Sequence, residues 1–186
     1  TPERGENKKL CDMVYENAAR HAYQYKETKE SDELTLVKLS SLLGLEVVPD
    51  RIECYDISNY GKENLTAGMV VAEDGKLKKK EYRLFKIKNI SDKQDDYASM
   101  SEALQRRFER AKNGDEGFSK LPDLILLDGG KGHVSVIKKL LVEMGIDIPV
   151  FGMAKDDYHK TRTLCDEESE ISIAKEKQVY MFIYKL

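Results

Sequence analysis

Apolar residues recur at every third or fourth position in the first part of the chain, which is the spacing of an amphipathic helix. Between residues 7 and 29 these positions are Leu10, Val14, Ala18, Ala22 and Tyr25. A second helix is predicted to begin near Ser31-Asp32, whose side-chain oxygens suit an N-cap, and to end at Gly44. We therefore expect residues 1–48 to form a helical lead-in segment and residues 49–186 to form a separate domain.

The pattern changes after Pro49 to the alternation of apolar and polar positions that is typical of strands. Residues 51–57 are predicted to form one strand and residues 67–73 a second. Asp74-Gly75 follows as a strong hairpin signal, so residues 76–88 would return as the partner strand. These three segments predict an antiparallel meander.

The second half of the domain alternates between helical and strand patterns. A helix is predicted to begin near Tyr97 and to end by Asn113-Gly114, and a second helix at residues 133–144. A strand buried on both faces is predicted at residues 124–127, and another buried strand at residues 148–153. The resulting order, βββαβαβ, is the layout of the ribonuclease H-like fold. We expect an α/β fold with a ribonuclease H-like mixed five-stranded sheet flanked by helices, followed by short strands and a helix from residue 175.

Composition places the chain among soluble globular proteins, with 40% hydrophobic and 35% charged residues. The apolar runs are short, and a bilayer span needs roughly 20 apolar residues, so no association with a membrane is expected. The three cysteines, Cys11, Cys54 and Cys165, are far apart and odd in number, which excludes a complete set of intrachain disulfides. We expect reduced thiols in a cytoplasmic protein.

Two aspartates stand at or near the ends of predicted strands. Asp56 lies in the first strand, and Asp128 directly follows the apolar strand at residues 124–127. Each has a plain alternative role, since an Asp at a strand end often bonds turn amides. If the two strands are neighbours, however, the carboxylates converge, and they repel each other unless cations neutralise them. Oxygen ligands of this kind select Mg²⁺ or Mn²⁺, which suits hydrolysis of a phosphodiester.

Two further segments have both a structural and a functional interpretation. The turn Gly129-Gly130-Lys131-Gly132 opens a helix, so its backbone N–H groups suit a phosphate with Lys131 assisting, but a turn that needs positive φ has the same composition. Asp95 and Asp96 also open a helix, where a capping role explains both residues. The alternative makes Asp96 a further acidic residue of the site.

Basic residues concentrate in a run from Lys76 to Lys88 and again at Arg106-Arg107. Charge runs are commonly a solvated face, but beside a metal site they suit contacts with a phosphate backbone that do not read sequence. The residues that we expect to bind DNA are Lys78, Lys79, Lys80, Arg83, Arg106, Arg107 and Lys131.

Four blocks of the chain, in this order, closely resemble the C-terminal half of the UvrC family. They are RIECYDIS at residues 51–58, DDYASM at 95–100, PDLILLDGGKG at 122–132 and GMAK at 152–155. The resemblance implies a ribonuclease H-like endonuclease domain of nucleotide excision repair, which makes the incision 5′ to a lesion. The partners that it implies are damaged double-stranded DNA and the protein UvrB.

The resemblance also assigns roles by matching positions. Asp56 and Asp128 match the family's metal-binding catalytic aspartates, and Asp96 matches a further functional Asp. The family's third ligand is a His in a later helix, which we expect beyond Leu186, so this chain alone is expected to be weak or inactive. Two other classes stay open: a non-catalytic DNA-binding or protein-interaction module on the same fold, and a nucleotide-binding domain that uses the turn at residues 129–132.

Overall fold

The computed structural model describes residues 4–59, 65–88, 95–155 and 161–186. The sequence also predicts a turn at residues 59–64 and a solvated surface position for His159. Most of that turn, and His159, lie outside the described residues. Two compact units follow each other along the chain, Thr1–Leu34 and Thr35–Leu186. Among the described helices, none combines the length and the hydropathy that crossing a bilayer requires.

One continuous helix, α1 (Glu6–Leu43), stands where two helices were expected. Lys29 and Glu33 form an i, i+4 ion pair of 3.6 Å across the expected break at Ser31-Asp32. Such pairs, together with the high helix propensity of the neighbouring Glu and Leu residues, outweigh the modest cost of a Ser and an Asp inside a helix. A potential N-cap therefore does not end the helix that precedes it.

Eight strands and three more helices follow in the described residues. The strands are β1 (Arg51–Asn59), β2 (Leu65–Glu73), β3 (Lys76–Leu77), β4 (Arg83–Lys86), β5 (Leu124–Leu127), β6 (Val150–Lys155), β7 (Thr161–Cys165) and β8 (Glu170–Ser172). The helices are α2 (Asp96–Lys112), α3 (Lys131–Glu143) and α4 (Lys177–Lys185), with 3₁₀ turns at Lys79–Glu81 and Glu116–Phe118.

The described strands form one mixed sheet in the order β3-β2-β1-β5-β6-β7-β8, with β4 also paired to β2. β1 is antiparallel to β2 and parallel to β5, which is parallel to β6. This is the expected ribonuclease H-like arrangement, extended at one edge by the antiparallel strands β7 and β8. The expected α/β fold with a mixed sheet is confirmed.

The hairpin at Asp74-Gly75 is confirmed, since both residues adopt positive φ, 50° and 73°. The strand predicted at residues 76–88 is instead split into β3 and β4 by the 3₁₀ turn at Lys79–Glu81. The physical reason is composition: the lysines at positions 78–80 have no apolar side chain that would hold this stretch on the sheet.

Buried side chains form one cluster on each face of the sheet. On the first, which we call face A, Tyr55 and Leu127 pack with residues of α2 and α3. On the second, face B, Cys54 and Leu126 pack with the last turns of α1 and with α4. The four residues of β5 are completely buried, which confirms the strand that was predicted to be covered on both faces.

A buried ion pair joins β1 to α2 on face A. The side chains of Glu53 and Arg107 are both 0% exposed, and Arg107 donates to the two carboxylate oxygens of Glu53 at 2.9 and 2.8 Å. Arg51 and Tyr55 donate to the same carboxylate at 3.1 and 2.7 Å. Burial raises the pKa of the Tyr55 hydroxyl, and the Glu53 charge raises it further, so this hydroxyl stays a donor.

The expectation that Arg107 binds DNA is wrong. Besides its two bonds to Glu53, the guanidinium donates to the carbonyl oxygens of Phe118 and Lys120 at 3.0 and 2.6 Å. A fully buried guanidinium with these four bonds has no surface to offer a phosphate. Arg107 is a structural residue of the core.

Replacement of Arg107 by Met should lower the free energy of unfolding by about 3–5 kcal/mol, because the Glu53 charge is left buried without its main partner. Urea unfolding followed by circular dichroism measures the change. Arg110, whose ion pair with Asp115 is largely exposed, is the matched control, and its change to Met should cost less than about 1 kcal/mol. Equal losses for the two variants would contradict this account of the core.

Candidate functional site

Asp56 and Asp128 occupy neighbouring positions at one end of the sheet. β1 and β5 are paired up to Tyr55 and Leu127, and the backbone N–H of Asp128 donates to the carbonyl oxygen of Tyr55 at 2.8 Å. Asp56 and Asp128 are therefore the residues that follow this last pair, on strands about 4.8 Å apart. Because side chains alternate along a strand, the Asp56 carboxylate belongs to face B, and Asp128 stands beside it at the first position after β5.

The surroundings of the two aspartates are polar and open. Asp56 is exposed and Asp128 is half-buried, and the hydroxyl of Ser58 donates to Oδ2 of Asp56 at 3.0 Å. Ser58 was not singled out from the sequence, although its position two residues after Asp56 on a strand predicts that they share a face. The hydroxyl holds the orientation of the carboxylate.

Two carboxylates on neighbouring strand ends suit a hard divalent ion such as Mg²⁺, which keeps several water ligands and often takes only one or two protein carboxylates. Among the described residues, no group of three or more His, Cys, Asp or Glu side chains is arranged to hold a metal. None of the three cysteines, which all lie in the described residues, forms a disulfide, and burial raises the pKa of the Cys165 thiol. A protonated, buried thiol is a poor ligand.

The turn after Asp128 is held by close packing. Gly152 on β6 is paired with Leu127, and a Cβ on Gly152 would overlap the carbonyl oxygen of Gly129 and lie 2.8 Å from Sγ of Cys165. Gly152 thus allows the backbone after Asp128 to fold directly over β6. The glycines at positions 129–132 could be singled out from the sequence, whereas Gly152 on β6, which packs against this turn, was missed.

An aromatic pair brings the start of α2 to the same turn. The Tyr97 ring stacks on the His133 ring with centroids 4.3 Å apart and an interplanar angle of 27°. A Cβ on Gly129 would lie 2.5 Å from Nδ1 of His133, so this ring covers the turn after Asp128. The N-termini of α2 and α3 therefore meet beside the strand ends that carry the aspartates.

The adjacent residues Asp95 and Asp96 differ in structure. Asp95 is the N-cap of α2, and its side chain accepts a hydrogen bond from the backbone N–H of Ala98 at 3.0 Å. Asp96 is the first residue of the helix and is exposed. Capping thus accounts for Asp95 and leaves the carboxylate of Asp96 without an assigned structural role.

The basic residues named from the sequence are spread over the molecule. Lys78, Lys79 and Lys80 are exposed and follow β3, which pairs with the end of β2 opposite Arg51. The backbone N–H of Lys78 donates to the carbonyl oxygen of Val71, which is paired with Glu53. Because Asp56 is three residues further along β1 and β3 lies two strands away, these lysines begin about 14 Å from the carboxylates. The expectation of a basic strand directly beside the aspartates is not met by this run.

The remaining basic candidates make bonds within the protein. Arg83 donates to the carbonyl oxygens of Lys80 and Tyr82, both at 2.9 Å. Arg106 donates to the carbonyl oxygen of Lys86 at 2.6 Å. Lys131 donates to the carbonyl oxygen of Glu168 at 2.9 Å, so its ammonium is directed to the turn between β7 and β8.

Comparison with known families identifies the kind of domain that carries this site. A family model described as the UvrC RNase H endonuclease domain matches residues 40–186. The chain belongs to this family. The UvrABC system protein C of Acetivibrio thermocellus is 41% identical to this UvrC domain over 98% of the chain, and that of Ruminiclostridium cellulolyticum is 44% identical over 100%. The chain spans 32% of the length of each.

Solved structures with weaker likeness are those of endonuclease V. A Ciona intestinalis endonuclease V in complex with an inosine-containing DNA is 18% identical, with a TM-score of 0.41, and the match covers 75% of this chain and 63% of that one. The catalytic domain of human endonuclease V is 13% identical, with a TM-score of 0.42, and the match covers 74% of this chain and 76% of that one.

Replacement of Gly152 by Ala should destabilise this UvrC domain by about 1–3 kcal/mol, because the methyl group has to displace the backbone of Gly129. Gly130 is the control, since a Cβ there meets no atom within 4 Å and its φ is −86°. Gly130→Ala should cost less than about 1 kcal/mol, through the N-cap of α3 alone. Thermal unfolding of the three proteins compares them, and a neutral Gly152→Ala would disprove the packing role.

Proposed function

We propose that this UvrC domain hydrolyses a DNA phosphodiester with a divalent metal ion bound by Asp56 and Asp128. The observation that carries the proposal is that these residues directly follow the last paired position, Tyr55 with Leu127, of the neighbouring parallel strands β1 and β5. Membership in a family of endonuclease domains supports the same activity. The whole reaction that we propose is the incision 5′ to a lesion in nucleotide excision repair.

The carboxylate oxygens of Asp56 and Asp128 would hold Mg²⁺ or Mn²⁺, with water and phosphate oxygens as the other ligands. When bound, the ion would neutralise the charge that develops on the phosphate. The chain's own residues set the geometry. Ser58 orients Asp56 by its hydrogen bond, and the buried strand β5 holds Asp128 in place. Rigid strands of this kind position ligands better than loops do.

Asp96 is proposed as a further acidic residue that acts near the same phosphate. It is supported by its exposure and by the stacking of its neighbour Tyr97 on His133, which covers the turn after Asp128. Asp95 already caps α2, so a carboxylate at position 96 is not required for the helix to begin. The match between the DDYASM block and the UvrC family points to the same role.

Damaged double-stranded DNA is the proposed substrate and UvrB the proposed protein partner, in the cytoplasm. The exposed lysines 78–80 begin about 14 Å from Asp56. A duplex rises about 3.4 Å per base pair, so they would contact phosphates about four base pairs from the cleavage point. Arg83, Arg106 and Lys131 would also contact phosphates, through the N–H groups that do not already donate to oxygen atoms of the protein.

A second candidate function is a non-catalytic DNA-binding or protein-interaction module on the same fold. One observation favours it: within the described residues, no third His, Cys, Asp or Glu joins the two aspartates in a metal-binding group. Such a module would bind DNA with an affinity that does not depend on Mg²⁺ or Mn²⁺. The variants below separate the two functions.

The Asp56→Asn and Asp128→Asn variants should each lower the rate of nicking by more than about 100-fold, since loss of even an outer-shell partner of a metal costs about 10–100-fold. The assay uses the full-length protein that contains this chain, with UvrB, Mg²⁺ and a lesion-bearing duplex. Binding of Mn²⁺ to the 186-residue chain, followed by calorimetry, should weaken in the same variants. Asp147→Asn is the control, because this exposed aspartate precedes β6 and lies towards the end of β5 opposite to Asp128. Wild-type nicking by both variants would favour the non-catalytic module.

The Asp96→Asn variant should lower the rate of nicking, whereas the Asp95→Ala variant should lower the stability of the domain. Asp96→Asn leaves the N-cap intact, so nicking should fall by at least about 10-fold while the unfolding temperature is unchanged. Asp95→Ala removes the cap and should destabilise the domain by about 1 kcal/mol. Nicking rate and thermal unfolding are measured on the same preparations. An Asp96→Asn protein that nicks normally would leave this residue without a functional role.

A further inference from the structure

A glycine stands next to Asp56 in the sheet without a structural reason. Gly68 on β2 is paired directly with Asp56 on β1. Its φ is outside the left-handed region, and a Cβ at this position would meet no atom within 4 Å. Glycine inside a strand weakens the strand, and where neither conformation nor packing requires it, the close approach of a ligand explains it.

Gly68 is part of a row of residues that crosses face B. The row runs from Asp128 through Asp56 and Gly68 to Leu84 on β4, because Gly68 is paired with both Asp56 and Leu84. Leu84 is 80% exposed and lies on β4, which pairs with β2 alone among the described strands, so its side chain is open to a ligand. With strands about 4.8 Å apart, its side chain stands about 10 Å from Asp56.

The neighbouring row is polar and ends in a positive charge. Ser58, Thr66 and Lys86 are paired across β1, β2 and β4. Lys86 is exposed, and in the described part of the chain its ammonium has no ion pair with a carboxylate. These two rows form an open surface on face B, which we call the floor. Asp56 and Asp128 bound it on one side, and Leu84 and Lys86 bound it on the other.

We propose that Gly68 and Leu84 seat the sugar and base of the nucleotide that flanks the cleaved phosphate, and that Lys86 binds the next phosphate. This inference rests on the proposed function, because the carboxylates define where the cleaved phosphate lies. Gly68 leaves room above β2 for a nucleotide. Leu84 offers an apolar contact to the sugar or the base face, which every nucleotide presents, and Lys86 offers a contact that does not depend on sequence.

The shape and charge of this floor favour a nucleic acid strand over a protein segment. Leu84 is a single exposed apolar residue beside a glycine, whereas protein interfaces are centred on clusters of buried apolar anchors. The floor is continuous with the carboxylate pair, and its far edge carries the charge that complements a phosphate. A strand of DNA that passes from Asp56 towards Lys86 satisfies both ends.

The first test places a larger side chain at Gly68, where it would occupy the space proposed for the nucleotide. Gly68→Val and the milder Gly68→Ala are made in the full-length protein, and nicking of a lesion-bearing duplex is measured with UvrB and Mg²⁺. Gly68→Val should lower the nicking rate at least about 10-fold and Gly68→Ala less. The unfolding temperature should not fall in either variant, because a Cβ at this position meets no atom within 4 Å and β-branched residues suit strands. Wild-type nicking by a folded Gly68→Val protein would overturn the proposal.

The second test removes the contacts at the far edge. Leu84→Ala should weaken binding of labelled DNA, measured by fluorescence anisotropy, about 3- to 10-fold, in the range of a partly lost stacking or apolar contact. Val142→Ala on α3, which is 77% exposed, is the matched control and should bind normally. Lys86→Ala should reduce the slope of log affinity against log salt by about 0.7–0.9, which is the value for one lost phosphate contact.

The outcomes separate the floor from the proposed function. Loss of nicking in Asp56→Asn together with normal nicking and binding in Gly68→Val would overturn the floor and leave the nuclease in place. Normal nicking in Asp56→Asn would overturn the nuclease, and the floor is then judged by DNA affinity alone. In that case weaker binding by Gly68→Val and Leu84→Ala supports the floor, and unchanged binding overturns it.

Discussion

The ion pair between Glu53 and Arg107 is the contact on which the geometry of the site depends. Glu53 is completely buried in the central part of the sheet and accepts hydrogen bonds from Arg107, Arg51 and Tyr55. A buried carboxylate without such partners is strongly unfavourable. α2 therefore packs on β1 in the one register that brings Arg107 to Glu53, and this register also sets where its N-terminus lies.

Strand β1 serves both faces of the sheet by simple alternation. Its odd-numbered residues, Arg51, Glu53 and Tyr55, turn to face A and form the buried polar network with α2. Its even-numbered residues begin in the core of face B with Ile52 and Cys54 and end in the open with Asp56. The network on one face thus holds rigid the strand whose other face presents the carboxylate, which is what a metal site requires.

Much of the fold follows from local pattern, because alternation and helical spacing are properties of neighbouring residues. The apolar run of β5 and the Asp74-Gly75 hairpin are examples in which the local signal and the tertiary structure agree. Arg106 and Arg107 show the limit. Both are basic and adjacent, so composition treats them alike, but they are about 100° apart around α2. Only the position of Glu53 on another strand decides that Arg107 is buried.

The candidate site likewise contains residues that could be predicted from the sequence and residues that could not. Asp56 and Asp128 could be paired from the sequence because the order of strands in a known fold makes β1 and β5 neighbours. Gly68 could not, because a glycine in a strand has the same appearance in the sequence whether it serves a turn, close packing or an open space. The structure separates these cases: a Cβ at Gly152 would overlap the carbonyl oxygen of Gly129, whereas a Cβ at Gly68 would meet no atom within 4 Å. The two glycines thus have opposite effects on packing. Gly152 allows the backbone of the protein to pack closely, whereas Gly68 leaves the space beside Asp56 open.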